Sequence, residues 1–244
     1  MKQLYLNCIA MAVATLSGLT ISVNSASAES AHQPTTVVEL FTSQGCSSCP
    51  PADKLLGELI EDENILGLSF SVTYWDYIGW KDIFGTADND ARQVGYRGEF
   101  NSRYVYTPQM VVGGMDHVVG SDRSGVKSLI EKQADDLEPL PLQWSFKGDK
   151  LFVTLPKSDG EATLWLLDID HVADVDIQRG ENTGKIITYH NIVRKIRSLG
   201  DWDGSAQEIS LDLAEMRTEG RDGCVLIIQQ DIYGPILGAL EIKL

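Results

Sequence analysis

The chain is poor in cysteine, poor in positive charge and, beyond its first thirty residues, without a long apolar run. Four cysteines in 244 residues, one of them at position 8, are too few for a small disulfide-stapled secreted domain, which uses an even and dense set. Twenty basic residues face 35 acidic ones, giving a formal charge of −15. A surface of that sign repels phosphate backbones and anionic headgroups, so no nucleic-acid partner is expected. The acidity then serves solubility. No later run approaches about 18 uninterrupted apolar residues, so no stable membrane insertion is expected of the mature chain. A structural zinc site would need two ligands beyond a C-x-x-C, and neither a second C-x-x-C nor a suitably spaced histidine pair is present. No metal or other cofactor is expected. There is also no internal repeat, heptad run or low-complexity tract.

What the chain does have begins at its N-terminus. Lys2 supplies a short positive region, Leu4 to Val23 is mostly apolar, and Ser25-Ala26-Ser27-Ala28 places small residues at the −3 and −1 positions of a cleavage site. Residues 1–28 read as a secretory signal peptide. An N-terminal anchor is the competing reading, since the stretch is about long enough to span, but small and hydroxyl residues dilute its second half. Cys8 lies early in the apolar region, which does not suit a lipoprotein acceptor. Cleavage before Glu29 leaves about 216 residues, the 244 less the 28 removed, and a charge of −16 once Lys2 is gone. That length suits one large domain or two ordinary ones.

Thr35 to Phe41 is β-branched and apolar and predicts a buried strand. Thr42-Ser43-Gln44-Gly45 reads as a turn, followed by Cys46-Ser47-Ser48-Cys49-Pro50-Pro51. Leu55, Leu56, Leu59 and Ile60 then recur at helical spacing, and proline is well tolerated in a first helical turn. The C-x-x-C therefore sits where a strand turns into a helix. Ile65 to Trp75 predicts a second strand, Thr86 to Tyr96 a helix, and Thr107 to Val112 a strand opening on a proline. Gly113-Gly114 makes a tight turn into a return strand over Met115 to Val119, and Asp122 to Asp135 predicts a helix. Glu138-Pro139-Leu140-Pro141 marks a boundary. Beyond it, short β-like runs separated by turn residues suggest an antiparallel sandwich.

At a strand-to-helix turn the first sulfur meets the unpaired N–H groups and dipole of the helix N-terminus, which favour a thiolate. Thiolate is the nucleophile of disulfide exchange. Cys46, nearer the turn and more exposed, is assigned as the attacking thiol, and Cys49, one turn inside, as the resolving one. Two other readings stay open. One is a static disulfide, which stabilises weakly because so small a loop removes little chain entropy. The other is Cu(I) held by two thiolates. Asp76 is a candidate acceptor for the Cys49 proton, with a plain surface loop as its alternative. Asp53 supports the helix N-terminus through the dipole. Trp75 and Trp80 wall a groove or belong to the core. Cys224 reads as inert packing in a buried strand. His190 reads as paired with a neighbouring loop, and Arg179-Gly180-Glu181-Asn182 is a polar turn without an assigned role.

Four blocks resemble a family of secreted bacterial thioredoxin-like proteins, described mainly as a domain of unknown function: Val38 to Asp53, Tyr74 to Asp82, Tyr106 to Gly114 and Tyr189 to Arg194. The resemblance covers nearly all of the mature chain and implies export and an α/β fold. That fold is a thioredoxin-like domain over residues 29–137 followed by a smaller antiparallel β-sandwich-like domain over 138–244. In the thioredoxin architecture a cis proline begins the strand facing the C-x-x-C. Thr107 and Pro108 would then line the groove where a partner's extended chain docks, with Trp75 and Trp80 beside them. A trans proline at a strand edge is the alternative. Gly45 stands where thioredoxins usually have tryptophan, and Ser47-Ser48 where they have Gly-Pro. The function expected is a periplasmic or secreted thiol–disulfide oxidoreductase acting on thiol-containing envelope proteins. A non-catalytic envelope binding module with a static disulfide is the alternative. The oligomeric state is not fixed by these features.

Overall fold

A computed structural model describes residues 30–244; the expected signal peptide, residues 1–28, lies outside them. The chain runs through β1 (Ser30–His32), β2 (Thr36–Thr42), α1 (Pro50–Leu59), β3 (Ile65–Ser71) and a 3-10 turn (Asp76–Ile78). It continues with α2 (Ala87–Glu99), β4 (Gln109–Val112), β5 (Asp116–Val119) and α3 (Arg123–Asp136). Then follow β6 (Gln143–Lys147), β7 (Lys150–Leu155), β8 (Ala162–Asp176), β9 (Ile186–Trp202), β10 (Gln207–Asp212), α4 (Ala214–Thr218), β11 (Gly223–Gln230) and β12 (Ile236–Lys243). The protein is thus mixed α/β, with a large mixed sheet and few helices. Two of the helices, α2 and α3, begin where the sequence supplies side-chain caps. Thr86 accepts from the Asn89 N–H at 3.1 Å, and Asp122 accepts from the Gly125 N–H at 3.0 Å, each satisfying a donor the helix itself leaves open.

The main sheet has nine strands in the order β1-β12-β11-β8-β9-β3-β2-β4-β5. β2 pairs in parallel with β3, and β3 touches β9 in parallel at Ser69 and Ile192, while the other neighbours are antiparallel. The boundary expected at residue 138 therefore does not separate two sheets. The reason lies in shared burial. Leu66, Leu68 and Phe70 of β3 pack in one cluster with Leu167, Ile169, Val193, Val225 and Ile227 from beyond the boundary. A three-stranded sheet, β10-β7-β6, lays Leu151, Val153 and Leu155 on Leu164, Leu166, Leu226 and Leu240 of the large sheet.

Residues on β2 alternate between the two faces. Val38 and Leu40 face α1 and α3, packing with Ala52, Leu55, Leu56 and Val126. Val37 and Phe41 face the side covered by α2, packing with Tyr96. Glu39 points to that second side, where the Arg92 guanidinium donates to it at 2.8 Å and the Tyr96 hydroxyl also donates. Arg92 donates in turn to Gln229 of β11 at 3.0 Å, so one buried polar group joins α2, β2 and β11. No helix among the described residues is long and apolar enough to cross a membrane.

Candidate functional site

β2 ends at Thr42 and the chain reverses through Ser43–Gly45. The Ser43 hydroxyl accepts from the Gly45 N–H at 3.1 Å, and the Ser43 carbonyl accepts from the Cys46 N–H at 3.1 Å. The Cys46 carbonyl accepts from Cys49 at 3.2 Å, and the Cys49 carbonyl accepts from Ala52 at 2.8 Å and Asp53 at 3.1 Å. Pro50 and Pro51 occupy the first helical positions, where a missing N–H costs nothing. Cys46 and Cys49 are joined in a disulfide, with Cα atoms 5.4 Å apart. Both cysteines are buried, including Cys46, which the sequence placed nearer the turn and more exposed. Cys46 is 1% exposed and Cys49 0%, because two distant segments close on the turn.

The first is the segment following β3. Trp75 donates its indole N–H to the Thr107 hydroxyl at 2.7 Å, and Trp80 donates to the Gln44 side-chain oxygen at 2.8 Å. Asp82, buried, accepts from the Gln44 N–H at 2.8 Å and from Phe84 and Gly85. Asp76 accepts from the Asp82 N–H at 3.0 Å, so its carboxylate shapes this loop. Gly45 lets the loop approach, since a Cβ there would lie 3.1 Å from the Trp75 Cβ and 3.3 Å from its carbonyl. The Thr107–Pro108 bond is cis. Gly120 holds Pro108 beside the helix: a Cβ at Gly120 would stand 3.1 Å from Ala52 and 3.2 Å from Pro108. Trp75 and Trp80 thus meet the residues just before Cys46, Thr107 is bonded to Trp75, and Pro108 borders Gly120 together with Ala52 of α1.

The second segment is the β8–β9 connection, residues 177–185. Asn182 is fully buried and donates to the Gln44 carbonyl and to the Cys46 carbonyl, each at 2.9 Å. Its own side-chain oxygen accepts from the Lys185 ammonium at 2.8 Å. Nothing in the local sequence of this polar turn signals the contact, because its partners lie 136 and 138 residues away.

Beneath the turn, Asp53 lies four residues beyond Cys49, and helical spacing places such pairs on one face. It is 3% exposed, and neither carboxylate oxygen has a well-formed hydrogen bond. Burial pushes its pKa up to about 8; the nearby Thr42 hydroxyl opposes the shift and the Asp82 charge adds to it. The Tyr189 hydroxyl, also buried and unpartnered, is raised by burial and then by the charges of Asp53 and Asp82. A carboxyl that stays protonated at neutral pH is more than a helix-dipole counter-charge, the role expected from sequence.

Residues 37–229 match the profile of DUF1223, described as proteins of unknown function. The chain belongs to the DUF1223 family. A solved structure of the Agrobacterium tumefaciens protein AGR_C_4864 is similar at 33% identity, over 87% of this chain and 95% of that one, with a TM-score of 0.75. HBP35 of Porphyromonas gingivalis shares the fold at 15% identity and a TM-score of 0.55, over 86% of this chain and 75% of that one. No curated protein sequence matches.

In this DUF1223 member, Cys224 is fully buried on β11, and its thiol is pushed up to about 12, by burial first and then by Asp168. A thiol so far from ionising is a poor nucleophile. His190 packs its ring on Gly57 of α1, with Nε2 2.7 Å from where a Cβ would stand. Among the described residues no three His, Cys, Asp or Glu side chains are grouped to hold a metal.

Proposed function

We propose that this protein is an exported thiol–disulfide oxidoreductase acting on the thiols of envelope proteins, and that residues 36–136 form its thioredoxin-like unit. The observation that carries the reading is the Cys46–Cys49 disulfide at the start of α1, with the cis Thr107–Pro108 bond on a segment where Pro108 and Ala52 of α1 both border Gly120. In the oxidising direction a partner thiolate attacks the Cys46 sulfur, and the electron pair of the broken bond leaves on Cys49. A second partner thiol then displaces Cys46. The partner gains a disulfide, and its two thiol protons end on Cys46 and Cys49. The reverse sequence reduces a partner, with Cys46 attacking and Cys49 resolving. The signal peptide reading supports action in an oxidising compartment.

A second reading, a static disulfide in an envelope binding module, is favoured by one observation, the burial of both cysteines. A redox titration in thiol buffers separates the two. Exchange requires a potential in the range of roughly −120 to −270 mV, whereas a value below about −300 mV supports the static bridge. A Cys49→Ser variant that accumulates a mixed disulfide through Cys46 supports exchange independently.

A further inference from the structure

Exchange requires a partner sulfur to reach one of two buried cysteines, so something must set that access. We propose that Asn182 is the positioning residue for Cys46, and that the 177–185 hairpin tip it anchors governs approach to the dithiol turn. The inference rests on the exchange reading above and names how that site is regulated.

Asn182 braces the turn on both sides of Gly45. Its two amide hydrogens go to the carbonyls of Gln44 and Cys46, and its oxygen takes the Lys185 ammonium. Every part of the amide is engaged, and the ammonium polarises it so that its N–H groups donate more strongly. The tip is itself closed by hydrogen bonds from Ile177 to Lys185 at 2.9 Å and from Gly184 to Ile177 at 2.8 Å. It also meets the other covering segment, since a Cβ on Gly180 would stand 3.3 Å from the Trp80 Cβ. Gln44 is therefore held through its carbonyl by Asn182, through its side chain by Trp80, and through its N–H by Asp82. Two segments remote from each other in sequence converge two residues before Cys46. Releasing the Asn182 brace frees two carbonyls that water can satisfy at once, whereas the sheet beneath stays intact. Opening of this kind is local rather than global.

The test is the rate at which tris(2-carboxyethyl)phosphine reduces the Cys46–Cys49 bond in the full mature chain, measured across sub-denaturing urea. Reduction through local opening is nearly independent of urea, while reduction through global unfolding rises steeply with it. Asn182→Ala is expected to raise the urea-independent rate about tenfold, the size expected from losing two hydrogen bonds. Lys185→Met, which leaves the Asn182 donors in place, is expected to raise it about two- to threefold. A merely structural Asn182 lowers the unfolding midpoint without changing the urea-independent rate, and that outcome overturns the proposal. If Asn182→Ala does not fold, the Lys185→Met rate decides, and a wild-type value overturns it. Failure here leaves the exchange reading to its own potential measurement. A potential below the exchange range leaves the brace standing as a shield on a static bond.

Discussion

Two buried carboxylates on neighbouring elements have met burial in opposite ways. Glu39 leaves β2 on the α2 side and is held by Arg92 and Tyr96. Burial works against the Arg92 charge, yet the adjacent Glu39 keeps the guanidinium protonated more firmly than usual. Asp53 leaves α1 on the opposite side of β2, close to the dithiol, without a cation or a well-formed hydrogen bond. It stays protonated instead. The first arrangement keeps its charges and ties three elements together. The second stores a proton within a helical turn of Cys49. A charge pair is a structural joint, whereas an unpaired acid with a pKa near neutrality is a group with chemistry available to it.

The largest expected effect breaks the paired side. Arg92→Leu leaves Glu39 buried without its cation, and urea unfolding at pH 7 should report a loss of about 3–5 kcal/mol. A loss under about 1 kcal/mol would mean that Glu39 is not relying on the pair. On the unpaired side, the native state holds a proton on Asp53 between its unfolded pKa of 3.8 and its folded value of about 8. The unfolded chain has lost that proton across the same window. Stability therefore falls as pH rises through the window, by up to about 1.4 kcal/mol per pH unit from this group. Asp53→Asn should flatten that slope and be the more stable protein at pH 8. Parallel pH profiles for the two proteins would reassign the proton to another group.

Smaller effects sharpen the picture of the closed turn. Gly45→Ala forces a methyl against Trp75 and should cost about 1–3 kcal/mol, read by thermal or urea unfolding together with a change in tryptophan fluorescence. Wild-type stability and fluorescence would show that the 75–82 segment yields easily. Trp80→Phe removes one hydrogen bond to Gln44 and should cost only about 0.5–1.5 kcal/mol. A larger loss in unfolding measurements would place Trp80 among the core residues rather than at the rim of the site.

Much of this architecture is legible residue by residue. The β-branched, apolar run from Thr35 to Phe41, the prolines at 50 and 51, the Gly113-Gly114 turn and the runs after residue 142 each sit in the element their pattern predicts. Two short elements, β1 and α4, are not legible, because three and five residues are too few to display a period. A charged Glu39 inside an apolar run signals that a partner must exist. It does not say that the partner is Arg92, 53 residues on.

The sequence by itself determined the local framework: a strand, a C-x-x-C turn and a proline-led helix, followed later by a strand that opens on Pro108. These are set by backbone geometry and by spacings of two to four residues, which a chain carries with it wherever it folds. Tertiary structure alone decided that segments on either side of residue 138 share one sheet, that both cysteines are covered, and that Asn182 grips the turn from 136 residues beyond Cys46. Those outcomes depend on which apolar faces and unsatisfied polar groups find each other when the whole chain competes for burial. No local window contains that competition.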